Sequence, residues 1–468
     1  MGENQALAPP SSTLVEQAMR AIQQRIAART LAPGAKLPSI RTFAETLGIS
    51  KSTVVEAYDR LAAEGVIRSR RGSGFYVTGH TAPLSLADIG PQLERSVDPL
   101  WISRQSLDAG DEVLKPGCGW LPPSWMPEAS LRRALRGLAR ADNAVLTDYG
   151  SPLGLVPLRR LLSRRLADYG IEAAPDQIML TDSGTHAIDL LCRFLIEPGD
   201  TVLVDDPGYF NFRALLRAHR ARIVSVPYTP VGPDMEAFAN VLANERPRLY
   251  LTNSALHNPT GASLSSVTAH RLLKLAEQHN LTIVEDDIFT DFEHEPAPRL
   301  AAFDGLARVV QIGSFSKTLS ASVRCGYLAT RPDWIQALID LKIATTFSSG
   351  RLSADLLLAV LKDGTYRKHM DGLRTRLAVA MGQTQARLKK IGITPWIEPR
   401  AGMFLWCQLP DGLDASDLAR RALAEKIVLA PGNAFSMSQS AGSFLRFNIA
   451  QCAEPRIFQF LETAVRGR

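Results

Sequence analysis

Apolar residues recur at helical spacing over residues 13–29 (Leu14, Ala18, Ile22, Ile26), behind a Ser/Thr start. The spacing predicts a helix there, a break at Pro33-Gly34, a second helix from about Ser39 to Leu47 stopped by Gly48, and a third from Ser50 to Glu64 stopped by Gly65. Val66 to Val77 then reads as two short strands around a basic, glycine-rich turn. From Gly79 to about Glu112 periodicity fades, prolines scatter (Pro83, Pro91, Pro99), and one short helix is expected near Asp98 to Leu107. Past Glu112, helical stretches alternate with short apolar runs, the pattern of a mostly parallel sheet. Candidate strands are Gln177 to Thr181, Thr201 to Val204, Arg222 to Val226, Leu249 to Thr252, Thr282 to Glu285 and Val309 to Ile312. The division expected is therefore a small helical module at residues 12–79, a linker at 80–111 and a large α/β domain at 112–466. A linker of that length lets the two domains move, or swap between chains.

Composition sharpens this picture in two places. With 468 residues, 46% hydrophobic and 21% charged, the chain is long enough for two or three cores and has the balance of a soluble protein. No run of about 18 apolar residues appears, so no membrane span is expected, and the first ten residues lack the pattern of a secretory signal. Five cysteines without paired spacing fit reduced thiols in a cytoplasm. The net charge is +6, and residues 1–80 carry ten basic side chains against six acidic ones. About two thirds of the excess thus lies in the first sixth of the chain, which points the N-terminal module at a polyanion.

In that module, a helix, a glycine-containing turn and a helix opening Ser50-Lys51-Ser52-Thr53 form the layout of a helix-turn-helix. Small, hydroxylated and basic residues at the start of the second of these helices suit base edges and phosphates in a major groove. The turn carrying Arg70 and Arg71 is a plausible wing directed at phosphate or the minor groove. A packing module with no DNA role is the other reading.

In the large domain, five strand ends carry chemistry, and ligand sites in such sheets lie at the carboxyl ends of strands. After the strand Val309 to Ile312 comes Ser314-Phe315-Ser316-Lys317-Thr318-Leu319, closed by Arg324 and Gly326. Its lysine can form a Schiff base with an aldehyde cofactor, with hydroxyls and a guanidinium at hand for a phosphate; a solvated loop is the alternative. Ser183-Gly184-Thr185 at a helix start offers N–H groups to an anion, or merely caps the helix. Tyr209 presents a stacking ring or fills a core. Asn258, fixed by Pro259-Thr260-Gly261, has an amide to donate. Glu285-Asp286-Asp287 are costly at a strand end without a cation, such as a protonated pyridine nitrogen. A metal is the alternative there, although no histidine or further acid recurs at ligand spacing, and no metal is expected.

Two resemblances draw these pieces together. Pro33 to Arg41, Leu47 to Val54 and Gly72 to Val77 closely resemble the winged helix of GntR-type regulators. By that resemblance Arg41, Ser50, Lys51, Ser52 and Thr53 are groove contacts, while Gly72 and Gly74 shape the wing. The ordered set of phosphate turn, ring, asparagine, aspartate and lysine resembles the fold-type I, aspartate aminotransferase-like family that uses pyridoxal 5'-phosphate. It implies Lys317 as the Schiff-base lysine, Asp286 at the pyridine nitrogen, Asn258 at the ring oxygen and Tyr209 as the stacking ring. The phosphate cup would be Ser183, Gly184, Thr185, Ser314, Ser316 and Arg324, with Tyr149 reaching the partner subunit's phosphate. Arg446, in Phe444-Leu445-Arg446-Phe447-Asn448, would grip a substrate carboxylate. Three residues depart from the pattern: Phe289 for a tyrosine, His186 for a glutamine and Ala321 for a proline. Phe289 cannot donate to the ring oxygen, which puts efficient transamination in doubt.

A winged helix joined to such a domain resembles the MocR subfamily of bacterial regulators. The fold implied is an N-terminal winged helix-turn-helix plus a large α/β domain of fold type I with a smaller C-terminal α+β subdomain. The function implied is a regulator, binding an operator in double-stranded DNA and sensing an amino compound or pyridoxal 5'-phosphate as effector. It would act as a cytoplasmic homodimer, nucleoid-associated when bound. An active aminotransferase with an accessory DNA-binding domain is the alternative.

Overall fold

The structure, a computed structural model, describes residues 13–27, 31, 35–70, 72–78, 99–140 and 143–467. The Pro33-Gly34 break, most of the linker and Arg71 lie outside the described residues. The chain divides into two compact units, residues 1–90 and 91–468.

The small unit holds α1 (Leu14–Ala27), α2 (Ile40–Leu47), α3 (Lys51–Ala63), β1 (Ile67–Arg70) and β2 (Gly74–Val77). Local chemistry sets its boundaries. Ser39 and Ser50 cap α2 and α3, their hydroxyls accepting from Thr42 N and Thr53 N at 3.1 Å. Gly48, at φ +65°, ends α2 in the left-handed region. On α3 the buried residues Val54, Ala57, Tyr58 and Leu61 follow the i, i+3, i+4, i+7 rule. They pack with Ala18 and Ile22 of α1 and Phe43 of α2 into one core. The Tyr58 hydroxyl donates to Pro38 O at 2.9 Å, and its ring meets Phe75 edge-on, fastening the wing to the helices.

The large unit opens with α4 (Pro99–Asp108), close to the short helix expected. Its main sheet comprises β3 (Ile178–Thr181), β4 (Thr201–Asp206), β5 (Arg222–Thr229), β6 (Gly232–Pro233), β7 (Leu249–Thr252), β8 (Thr282–Asp286), β9 (Val309–Ser314) and β10 (Gly326–Ala329). The order is β3-β10-β9-β8-β7-β4-β5-β6. All six candidate strands are present, four of them one to three residues longer at the carboxyl end. Strands β4, β5, β7, β8 and β9 pair in parallel. Strand β10, which the apolar pattern does not reveal, runs antiparallel between β3 and β9. Alternate residues enter two cores: Val202, Val204, Leu249 and Leu251 on one face, Leu203 and Tyr250 on the other. Both faces are covered, which explains the continuous apolar runs.

A second sheet, antiparallel throughout, contains β11 (Thr394–Pro395), β12 (Phe404–Gln408), β13 (Ala430–Pro431) and β14 (Phe444–Asn448) in the order β11-β12-β14-β13. This is the smaller C-terminal subdomain, and it places Arg446 opposite Trp406 and Ala430. No helix among the described residues is long and apolar enough to cross a membrane.

Candidate functional site

At the carboxyl end of β8, Asp286 lies beside Ile312 of β9; β9 ends at Ser314, and Lys317 follows three residues later. Burial pushes the Lys317 ammonium down to about 8, and the Arg446 and Arg324 cations add to that, partly offset by Asp286. Its Nζ donates to Gly119 O at 2.8 Å. An amine lowered this far is neutral, and so nucleophilic, in about a tenth of molecules at pH 7, far more than an ordinary lysine.

The three consecutive acids separate completely. Glu285 accepts from Leu300 N (2.8 Å), Ala301 N (2.9 Å) and the Ser254 hydroxyl, at the start of the helix Leu300–Asp304. Asp287 is held by Arg299 Nε (3.1 Å) and Gln311 Nε2 (2.9 Å). The cation for Asp287 is thus Arg299, itself fully buried, which the sequence reading did not identify. Asp286 alone keeps an oxygen, Oδ1, without a partner although the residue is only 4% exposed. Burial raises its carboxyl to about 7, with Asp287 pushing the same way and Lys317 opposing. A buried carboxyl oxygen without a partner, in the field of a lysine of lowered pKa, is suited to accept from a cationic N–H donor.

Around this pair the remaining residues take distinct places. Tyr209 is the N-cap of the helix Phe210–Ala218; its ring packs on Phe210 and Phe212, and burial together with Asp286 pushes its hydroxyl up to about 12. Asn258 is buried, and its Oδ1 accepts from Arg446 Nη1 at 2.8 Å, which leaves the amide N–H2 to donate elsewhere. Arg446 also donates through Nη2 to Gly117 O at 2.7 Å, while its Nε has no partner. The guanidinium lies 4.3 Å from the Phe404 ring centre and 4.7 Å from that of Phe435, and burial lowers its pKa to about 10.

The phosphate candidates cluster at the N-terminus of the helix Gly184–Leu195. Gly184 and Thr185 are its first residues, with Ser183 as N-cap accepting from His186 N at 3.0 Å. Strand β10 presses against this end: a Cβ on Gly326 would sit 2.7 Å from Ser183 C and 2.9 Å from Gly184 N. Ser314 and Ser316 hydroxyls lie 3.0 Å apart. Arg324, at φ +49°, is exposed. Helix N–H groups, hydroxyls and a guanidinium are the donors an anion requires. Of the three departures, Phe289 is 4% exposed and edge-on to Phe404. His186 turns Nδ1 to Asp182 N at 3.2 Å, and Ala321 is exposed.

Tyr149 is not part of this cluster. It is 78% exposed, packs on Phe347 at 4.9 Å and lines a pocket of about 250 Å³ with Gly150, Ser349 and Arg351. Conversely, the site includes a segment that motif spacing alone missed. Between Pro116 and Trp120, carbonyls of Gly117, Cys118 and Trp120 accept from Arg446 and from Asn448 Nδ2, and Gly119 O from Lys317. The buried Cys118 thiol is pushed up by desolvation. The only signal in the sequence was the Gly-Cys-Gly run itself.

In the small unit Arg41, Ser50, Lys51 and Ser52 are exposed, and Thr53 is half-buried. Arg41 pairs with Glu45 at 3.1 Å. Arg70 lies 4.6 Å over the Tyr76 ring, in a turn shaped by Gly72 (φ +75°) and Gly74 (φ +104°).

Residues 118–463 match the family model for aminotransferase class I and II, and residues 14–77 that for bacterial regulatory proteins of the gntR family. The chain is 30% identical over 446 residues to the uncharacterized HTH-type transcriptional regulator YdcR of Escherichia coli, covering 93% of this chain and 94% of that one. It is 27% identical over 420 residues to the HTH-type transcriptional regulator NorG of Staphylococcus aureus, covering 87% and 94%. Among solved structures it is similar to LysN, an α-aminoadipate aminotransferase of Thermus thermophilus complexed with N-(5'-phosphopyridoxyl)-L-leucine. The TM-score is 0.71 and the identity 25%, over 82% of this chain and 99% of that one.

Proposed function

The chain belongs to the aminotransferase class I and II family and carries a gntR-family regulatory domain at residues 14–77, and from that premise we propose that it is a transcription regulator. Its large unit binds pyridoxal 5'-phosphate covalently on Lys317 and reads an amino compound there; its small unit binds operator DNA. The observation that carries the cofactor reading is the buried, half-unpartnered Asp286 beside a lysine lowered to about 8. When bound, the cofactor supplies an aldehyde that condenses with primary amines and a ring nitrogen that takes a proton.

The residues divide the work. Lys317 offers an amine that is free to condense near neutral pH. Asp286 accepts the ring N–H and keeps that proton in place, and the cation in turn offsets the cost of burying the carboxylate. Asn258 turns its amide N–H2 towards the ring oxygen, since Arg446 holds its other end. The helix end at Ser183-Gly184-Thr185, the Ser314 and Ser316 hydroxyls and Arg324 bind phosphate, and Tyr209 lies against the ring. Arg446 has an unpartnered Nε for a ligand carboxylate. Phe289 supplies no donor, which favours holding a ligand over turning it over. In a homodimer Tyr149 reaches the phosphate of the partner subunit, and two small units read two half-sites.

Support for the DNA reading comes from exposed Lys51 and Arg70 flanking a capped α3, in the part of the chain that carries most of the positive excess. The test is absorbance of the full chain between about 300 and 500 nm with added pyridoxal 5'-phosphate, beside Lys317→Ala. A band near roughly 420 nm that the variant lacks supports the reading. Its absence from wild type refutes the cofactor half and leaves the DNA half standing.

A further inference from the structure

The chain that leaves the small unit enters the large one at α4 and then runs straight across the Lys317 site. Ile102 of α4 is buried among Phe210, Trp406, Val428 and Phe435. Phe210 adjoins Tyr209, and Phe435 lies under Arg446. Beyond α4, Lys115 Nζ reaches back to Ala109 O at 3.0 Å, tying the helix end to the stretch Leu114 to Trp120. One side of that stretch is stitched to the C-terminal subdomain: Leu114 N to Lys426 O, Val428 N to Leu114 O and Gly117 N to Val428 O, at 2.8–2.9 Å. On the other side its carbonyls hold the two groups that ligands must engage. Gly117 O takes Arg446, and Gly119 O takes Lys317.

Both binding events act on these bonds. When an aldehyde carbon takes the Lys317 nitrogen, a carbon–nitrogen double bond forms and the carbonyl oxygen leaves as water with both amine hydrogens. Gly119 O then loses its donor. A carboxylate seated on Arg446 competes with Gly117 O for the same guanidinium. We propose that the stretch Leu114 to Trp120 is the transmitter that converts occupation of the site into a change at α4, and so along the chain that leads to the DNA-binding unit. The idea rests on the cofactor reading above and adds its regulation: two ligand-sensitive hydrogen bonds on one covalent strap, biasing one element from both sites.

The test compares hydrogen exchange of the full chain with pyridoxal 5'-phosphate and with pyridoxine 5'-phosphate. The second has the same ring and phosphate but an alcohol for the aldehyde, so it fills the site without consuming the amine. Exchange in peptides covering 99–108 and 114–120 is expected to rise about tenfold with the aldehyde relative to the alcohol. In Lys115→Met, a half-exposed change away from the site residues, the strap still responds while the response of α4 falls by about half or more. Equal exchange with the two ligands, in protein whose absorbance band shows Lys317 engaged, overturns the proposal. So does an undiminished α4 response in Lys115→Met. Without the band, it is the cofactor reading that has failed, and the two failures are told apart by the spectrum.

Discussion

At the scale of single residues, Asp286 is the group whose ionisation matters most to the cofactor-free protein. Its carboxyl is raised by burial from the ordinary aspartate range to about 7, so the folded form holds a proton that the unfolded form releases. The penalty is absent below about pH 4, grows as pH rises and is complete above about pH 7, on the order of 4 kcal/mol. Glu285 and Glu293, also raised to about 7, add to the loss over the same window. Replacing Asp286 by asparagine removes only its own share. The thermal midpoint of cofactor-free Asp286→Asn, measured from pH 4 to 8, should therefore fall less steeply than wild type while cofactor uptake weakens. Parallel curves would refute this account of Asp286. Phe289 makes a second case. A hydroxyl added at this buried position lacks a partner and costs about 1–3 kcal/mol. Phe289→Tyr should then destabilise the cofactor-free protein, recover on loading, and speed half-transamination of added amino acids if the site retains chemistry. Unchanged rates would favour a site that only senses.

At the scale of elements, strand β10 and the helix Gly184–Leu195 meet at the proposed phosphate seat, and Gly326 is where they touch. A Cβ there meets backbone atoms that cannot rotate away, so Gly326→Ala should abolish cofactor uptake with far-ultraviolet circular dichroism little changed. In the small unit Ser50 and Lys51, adjacent in sequence, act differently. The Ser50 hydroxyl is committed to Thr53 N, so Ser50→Ala costs helix α3 about 1 kcal/mol and weakens DNA binding through folding. Lys51 is exposed, so Lys51→Ala should lower affinity and reduce the slope of log K against log salt by about 0.9 if it contacts one phosphate. An unchanged slope places Lys51 away from phosphate. These elements also mark what could be read from the sequence. Buried parallel strands announce themselves as apolar runs, and β4, β7, β8 and β9 were legible for that reason. Strand β10 has four residues beginning at glycine, and β11 and β13 have two each, too short to show a period. Strand-end residues such as Lys317 and Asp286 were legible because each lies at its strand's carboxyl end or within three residues of it. Arg299 and the Gly117 to Gly119 carbonyls were not: Arg299 folds back onto Asp287 from 12 residues downstream, and the carbonyls reach Lys317 and Arg446 from far earlier in the chain through backbone atoms that no side-chain motif reports.

At the scale of the whole molecule, each unit has its own core. Among the described residues, the buried core of the small unit is drawn from residues between Ala18 and Val77, and the buried members of the other clusters begin at Ile102. Separate cores predict separate cooperative transitions, and so a calorimetric trace that two-state bookkeeping does not fit. The smaller should carry about 45 kcal/mol of enthalpy, at roughly 0.7 kcal/mol per residue for a module of about 65 residues. Ligands assign the peaks. Pyridoxal 5'-phosphate at about 100 times its Kd adds about 2.7 kcal/mol to the unit that binds it, and should shift the larger transition alone. A duplex selected by the full chain from a random pool should shift the smaller. Any movement of the small transition by the cofactor is then a direct reading of the coupling between the units, and it should be reduced in Lys115→Met if the strap carries it. A single peak moved equally by both ligands would instead mean that the two units unfold as one body, and that the linker transmits far more than one strap and one helix.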